Sequence, residues 1–393
     1  MKKLWGNSKL NQQVEAFETK DDLVLDQRLV KYDCLGSLAH AKMLNTIGIL
    51  TLEELKLLNK GLNEILKLDK KGQFQLVQGD EDIHTKIENY LTENFGEVGK
   101  KIHTGRSRND QVLTAIRLFI KDKLTGIVSE VELLQKSFKD YSKKYSHIQM
   151  PGYTHMQKAM PSSVGLWAES FADGLTDDLK QLQTAFDIAN QSPLGSGAGY
   201  GLPFDVKREF TAKLLGFAKV QENALYCQNS RGKFEASILS AFISILQTIN
   251  KFAQDVLLFT TSEFGFFTVD ETLTTGSSIM PQKKNIDLAE LLRSKIHLVL
   301  GNYVAIVSLS ANLPSGYNRD LQDSKKPLFE SIEITLNSLK MSSVLLSGLY
   351  PVPVKLKAAM TNELYAAQDA LKLAKKGIPF RSAYKKIASK YRR

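Results

Sequence analysis

Cysteine is nearly missing from this chain: Cys34 and Cys227 are the only two in 393 residues, far apart and without CxxC or Cys/His metal spacing. That argues against a disulfide framework and makes a reducing cytoplasm the expected location. HExxH, EF-hand and zinc spacings are missing as well, so no metal is expected. No uninterrupted run of eighteen apolar residues occurs, which argues against a membrane-spanning helix. The opening Met1-Lys2-Lys3-Leu4-Trp5-Gly6-Asn7 lacks the apolar core of a signal peptide. Proline is absent before Pro151 and again between Pro203 and Pro281. Because proline removes a backbone donor and clashes with the preceding turn, such gaps permit long helices.

What the chain does have is an ordinary globular composition, 43% apolar and 24% charged. Its net charge of +10 is unevenly placed: residues 351–393 carry eleven Lys and Arg against Glu363 and Asp369. Aromatic interleaving is sparse there, so the basic end reads as a solvated helix face, and a nucleic-acid partner is not expected.

Apolar residues recur at helical spacing. Ile116, Ile120, Leu124, Ile127, Val131, Leu134 and Phe138 step by threes and fours, and so do Phe234, Ile238, Phe242, Ile245, Ile249, Phe252 and Val256. These are seams of helix–helix packing, not the alternation of strands. Further helices are expected near 161–190, 285–310 and 325–349, and Thr51-Leu52-Glu53-Glu54 reads as a helix start. The fold class is therefore all-α in three regions: an N-terminal helical domain over 1–106, a central long-helix bundle over 107–350, and a short basic helical domain over 351–393 that opens at Pro351-Val352-Pro353.

Four segments break the seams with dense polarity: Gly79 to Thr85, His103 to Gln111, Gly152 to Gln157, and Thr275 to Asn285. Each has a plain structural reading. Asp80 to His84 and Arg106 to Asp110 suit charged helix caps. A lone His155 suits a hydrogen-bonded core position, and the Gly/Ser run at 276–278 suits a surface loop. The glycine-rich stretch Gly195 to Gly201 lacks the phosphate-loop pattern and βαβ context and reads as a tight packing turn.

Taken together, the segments resemble the fumarase/aspartase superfamily, whose signature loop matches Gly276-Ser277-Ser278-Ile279-Met280-Pro281 with Lys283 and Asn285. The blocks Asp80-Glu81-Asp82-Ile83-His84, His103 to Gln111, Gly152-Tyr153-Thr154-His155 and Tyr317 to Gln322 resemble its argininosuccinate lyase branch, and the likeness runs from about Leu4 to about Tyr384. The resemblance implies an all-α homotetramer whose active sites join segments of three subunits, and a cofactor-free elimination that splits argininosuccinate into arginine and fumarate, a step of arginine biosynthesis. It implies Ser277 as general base, and His155, oriented by Glu290, at the departing nitrogen. Lys283 and Asn285 fall to the carboxylate that gathers charge. Ser107, Arg108, Asn109 and Thr154 fall to substrate carboxylates, Tyr317, Gln322 and Lys325 to the rest of the substrate, and His84 and Asp82 to outer contacts.

The residue types fit that chemistry. A proton beside a carboxylate is weakly acidic, so the aci-carboxylate needs a cation and fixed donors. A serine is a poor base unless its alkoxide is stabilised, for which Lys283 and the loop amides are available. Arginine's planar fork suits carboxylates. Four departures from the family stand out: Ile286 in place of a proline, Asp22 in place of a substrate-contacting serine, Arg231-Gly232-Lys233-Phe234 where Arg-Asp-Phe is usual, and a reduced C-terminal region. The alternatives are another fumarate-releasing lyase of the superfamily and a non-catalytic structural relative.

Overall fold

A computed structural model describes residues 11–77 and 79–391, apart from the side chains at 12, 20 and 21. The segment bearing the leader reading and the two final arginines lie outside the described residues. Helices dominate, as the proline gaps and apolar spacing require. The first seam lies on a helix of 38 residues, Arg108–Tyr145, and each of its seven apolar side chains is at most 1% exposed. The second lies on Lys233–Phe259, with the same side chains at most 2% exposed. The three further long helices are Val164–Ala189, Asp287–Ser310 and Lys325–Ser347. By length and composition the stretch Ala224–Phe259 is apolar enough to cross a membrane, contrary to the expectation from uninterrupted runs. Its apolar seam is core, which is why a window average flags what a count of unbroken apolar residues does not.

Among the described residues, the strands are short two-stranded pieces that fasten helix ends. The largest is an antiparallel hairpin, Gln149–Thr154 against Gln157–Ser163, with a bulge between Pro151 and Tyr153. It takes the residues just before helix Val164–Ala189, which therefore begins slightly later than the apolar spacing predicts.

The chain forms two compact units. The first gathers Met1–Gly126, Gln181–Phe242 and Val299–Ile332; the second gathers Ile127–Lys180, Ile243–Leu298 and Glu333–Arg393. Each of the five long helices contributes residues to both.

In the first unit the N-terminal helices pack around Val30, Leu44, Leu58, Leu62, Ile83 and Leu91. Helix Leu52–Lys70 begins with a capping box: the Thr51 hydroxyl accepts from the Glu54 amide and the Glu54 carboxylate accepts from the Thr51 amide. Two of the four amides a helix start leaves open are satisfied in this way. The glycine-rich turn proves to be a packing turn built around an internal anion, since the Gly195 and Gly197 amides both donate to Asp110 Oδ2 at 3.0 Å. Gly232, at φ +79°, stands against Ser310, and any side chain there would collide with it. That gives the Arg-Gly-Lys departure a steric reason.

The second unit is aromatic at its centre. Phe138, Phe171, Phe252 and Trp167 stack at 5.0–6.1 Å between ring centroids, and the Trp167 indole donates to Asp255 at 2.8 Å. At the C-terminal end, helices Ala366–Lys375 and Phe380–Ala388 bury Ala370, Ala383 and Ile387 and turn Lys372, Lys375, Arg381, Lys385 and Lys386 to solvent. The basic end is a solvated face, as its composition predicts.

Candidate active site

Residues scattered from 22 to 325 line one cavity of about 180 Å³ in the first unit. Of the residues singled out from sequence, Asp82, Arg108, Asn109, Tyr317, Gln322 and Lys325 are in its wall. Asp82 caps helix Ile83–Phe95, accepting from the Thr85 amide at 2.7 Å, so the cap reading and the site reading both apply to it. Burial alone would raise its pKa, but His84, Arg108 and the Thr85 bonds outweigh burial and hold the carboxylate below its ordinary range. Ser107 stands at the start of helix Arg108–Tyr145: its amide donates to Asp110 Oδ1 at 3.0 Å and its hydroxyl accepts from the Asn109 amide at 3.2 Å.

Arg108 is not free. Its fork donates to both Glu81 oxygens at 2.5 and 3.0 Å and to Thr85 at 3.1 Å, with Asp82 3.5 Å from Nε. Lys325, only 3% exposed, sits between Asp22 at 2.5 Å and Asp26 at 2.7 Å. Burial opposes its charge, yet the two aspartates win and raise its pKa. Asp22, the residue standing where a serine is usual, is pushed up to about 6 by burial, against the pull of Lys325. Gln322 donates to the Glu18 carbonyl at 2.8 Å. His84 is not in the cavity wall. It is buried, which alone would lower its pKa, but it pairs through Nδ1 with Asp33. The charge and bond of Asp33, together with the charges of Asp82 and Asp26, outweigh burial and raise the imidazole pKa. Among the described residues Nε2 has no partner. The core-histidine pattern expected for His155 therefore belongs to His84.

The second unit carries the other residues, and there the pattern reverses. His155 and Met156 form the two-residue turn of the hairpin at φ 51° and 60°, and both are exposed. Two-residue hairpins favour turns with positive φ, but Asn and Gly normally supply them. Holding two side-chain-bearing residues there costs about 1–2 kcal/mol each. Thr154 is exposed beside them. A separate cavity of about 490 Å³ reaches His155, with Tyr153, Trp167, Asp255 and Phe259 in its wall.

The signature loop is pinned at its ends by the pairs Thr275–Asn285 and Gly276–Lys284, and by Thr275 donating to Asp287 at 2.6 Å. Inside it, Ser277 Oγ accepts from the amides of Ile279 at 3.3 Å and Met280 at 3.1 Å. Helix Asp287–Ser310 starts without the usual proline, its first bonds running from the Ala289 and Glu290 amides to the Ile286 carbonyl. Lys283 and Glu290 are exposed and Asn285 is half-buried. Among the described residues, no hydrogen bond or ion pair links His155, Ser277, Lys283, Asn285 or Glu290 to one another.

The sequence reading missed Glu81 and Asp26, the internal partners of Arg108 and Lys325, and it missed Arg231 as part of the cavity wall. Pairings across tens to hundreds of residues leave no local spacing to find. Asp22 was noticed only as a departure.

A family model described as lyase matches residues 10–301. An argininosuccinate lyase of Thermotoga neapolitana is 48% identical over 392 residues, covering 100% of this chain and 98% of that one. This chain belongs to the argininosuccinate lyase family. The argininosuccinate lyase of Phocaeicola vulgatus is 41% identical over 98% of this chain and 86% of its own length, and that of Sorangium cellulosum is 40% identical over 96% and 87%. Among solved structures, EDDS lyase in complex with formate superposes with a TM-score of 0.81 at 23% identity, over 98% of this chain and 76% of that one. A variant of that lyase with bound fumarate gives 0.80 at 22%. At such identity the likeness is one of fold; together with the lyase family match it gives the chain a mostly helical, fumarase/aspartase-like fold.

Proposed function

We propose that the chain cleaves argininosuccinate to L-arginine and fumarate in arginine biosynthesis, as a cytoplasmic homotetramer with active sites shared between subunits and no cofactor. Ser277 removes a proton from the carbon beside a succinyl carboxylate. The electron pair collects on that carboxylate, opposite Lys283 and Asn285. As the carbon–nitrogen bond breaks, the pair forms the double bond of fumarate, and His155, steadied by Glu290, protonates the leaving guanidino nitrogen. Ser107, Arg108, Asn109 and Thr154 hold the succinyl carboxylates. Tyr317, Gln322 and Lys325 hold the arginine half, with Asp82 and His84 behind.

The observation that carries this reading is the convergence of Asp82, Arg108, Asn109, Tyr317, Gln322 and Lys325 on one cavity from three distant parts of the sequence. The two amides on Ser277 Oγ favour an alkoxide there, because backbone donors lower the cost of a local anion. Sharing between subunits is favoured by helix Asp287–Ser310, where Leu291, Leu298, Leu300, Val304 and Val307 are each 42–56% exposed. An apolar face of that kind on a long helix is what a second copy of the same chain covers. The three domains read from the sequence, 1–106, 107–350 and 351–393, are kept as part of this proposal.

The test is fumarate absorbance and arginine release from argininosuccinate by the purified chain, with its mass in solution measured in parallel. Turnover by a four-chain species is expected. Fumarate from adenylosuccinate but not from argininosuccinate would reverse the substrate choice. An intact tetramer without turnover on any of these substrates would make the chain a structural relative.

A further inference from the structure

The cavity of the first unit is lined by four cations, and three already have acids of the chain bound to them. Arg108 forks onto Glu81, Lys325 is held by Asp22 and Asp26, and Arg319 reaches Glu18 at 3.3 Å. Arg231 differs. It is 3% exposed, its Nη2 donates to the Leu321 carbonyl at 2.8 Å, and its buried Nε has no partner. Among the described residues no carboxylate stands within ion-pair distance of it. Glu235, whose titration it affects, is fully buried, and among the described residues both its oxygens are unpartnered. Burial pushes that carboxyl up, against the pull of Arg231.

A buried guanidinium without a counterion is unfavourable, and one in the wall of a cavity is relieved when an anion enters that cavity. Resting on the argininosuccinate reading above, we propose that Arg231 binds the α-carboxylate of the substrate's arginine half. The choice of that half follows from its neighbours. Arg231 bonds to Leu321 and faces the Tyr317 ring, 5.5 Å from its centroid, in the same segment as Gln322 and Lys325. The succinyl carboxylates are assigned to the other segment, residues 107–109. Lys325 reaches the same half, but Asp22 and Asp26 already offset its charge, which leaves Arg231, among the described residues, as the cation of this wall without an acid bound to it. The free hydrogen-bonding edge of Arg231 has the donors a carboxylate uses.

The two ligands that separate this role from a structural one are L-arginine and agmatine, which is arginine without its carboxylate. Calorimetric binding to the assembled wild type is expected to favour L-arginine at least about tenfold, a difference of about 1.4 kcal/mol. In Arg231→Gln the preference disappears while fumarate inhibition stays unchanged, and Arg231→Lys restores part of it. Equal binding of the two ligands by the wild type would overturn the proposal, whatever the variants do. So would a variant that weakens both ligands alike, which is the signature of a structural residue. Loss of the preference with turnover intact in the wild type sinks the carboxylate site alone. A preference kept by a wild type that releases no fumarate sinks the catalytic reading and supports the site.

Discussion

Around the cavity of the first unit the charged side chains, Arg231 apart, are bonded within the chain: Arg108 to Glu81 and Lys325 to Asp22 and Asp26, while Asp110, near Arg108 in sequence, takes the amides of Gly195 and Gly197. In the second unit the side chains assigned to the chemistry are displayed: His155 on a strained turn, Lys283 and Glu290 exposed, Ser277 bonded only to amides of its own loop. The same residue types thus play two physical roles. Ion pairs in the first unit help hold that unit together, so they are part of the fold before any ligand arrives. The groups in the second unit contribute little to the fold; on the proposed reading, substrate and neighbouring chains complete their geometry. Stability should therefore respond mainly to mutation in the first unit, and the chemical step alone to mutation in the second.

The largest expected effect tests the displayed side. Ser277→Ala and His155→Asn should each lower fumarate release by about 10³-fold or more, equivalent to about 4 kcal/mol of transition-state stabilisation. The melting curve and the oligomeric state should stay unchanged, since asparagine accepts the positive φ at 155 and Ser277 makes only local bonds. A melting point that falls with activity in both variants would break the contrast between the units.

A smaller effect, read in stability, tests the paired side. Lys325→Met leaves Asp22 and Asp26 buried without their cation, which costs about 3–5 kcal/mol in denaturant unfolding. An unchanged midpoint would show that the buried triad does not help to hold the first unit.

The long helices could be read from the sequence because their signal is local. A three-and-four spacing around Ile116 or Phe242 needs no knowledge of the partner helix. The capping box at Thr51 is equally local. The hairpin at 149–163 was not read, because Gln157 to Ser163 shows no apolar alternation and His155-Met156 is not a usual turn pair. At the candidate site the residue types were legible through the resemblance, but their states were not. Nothing near Arg108 in sequence marks Glu81 as its partner, and nothing near Lys325 points some 300 positions back to Asp22 and Asp26. Gly232 reads in the sequence as a departure from Arg-Asp-Phe, and its reason, Ser310 packed against it, lies about eighty positions away. What escapes is long-range polar pairing, which has no period.

The finest test uses pH. Asp22 is pushed up to about 6 in the folded chain by burial, against 3.8 as its ordinary value, while Lys325 opposes the shift and Asp26 and Asp82 add to it. Between those two values the folded state keeps a proton that the unfolded state has released. The unfolded state then binds fewer protons, so the contribution of Asp22 to stability falls as pH rises through that window and is level above it. Lys325, raised above 10.5, stays charged throughout and adds no slope. Other groups do titrate nearby: Asp110 is raised to about 6 and His103 lowered to about 4, both mainly by burial. Their slopes have opposite signs, so the raw pH profile of the wild type is not diagnostic. The difference between Asp22→Asn and wild type cancels them, because both chains retain both groups. That difference should move in favour of the variant by about 1–3 kcal/mol between about pH 4 and pH 6, then stay flat to pH 8. Chemical denaturation at half-unit steps of pH would measure it. A difference that is constant across the range would mean that Asp22 is ionised throughout, and the paired cavity would then hold one more fixed negative charge than its burial implies.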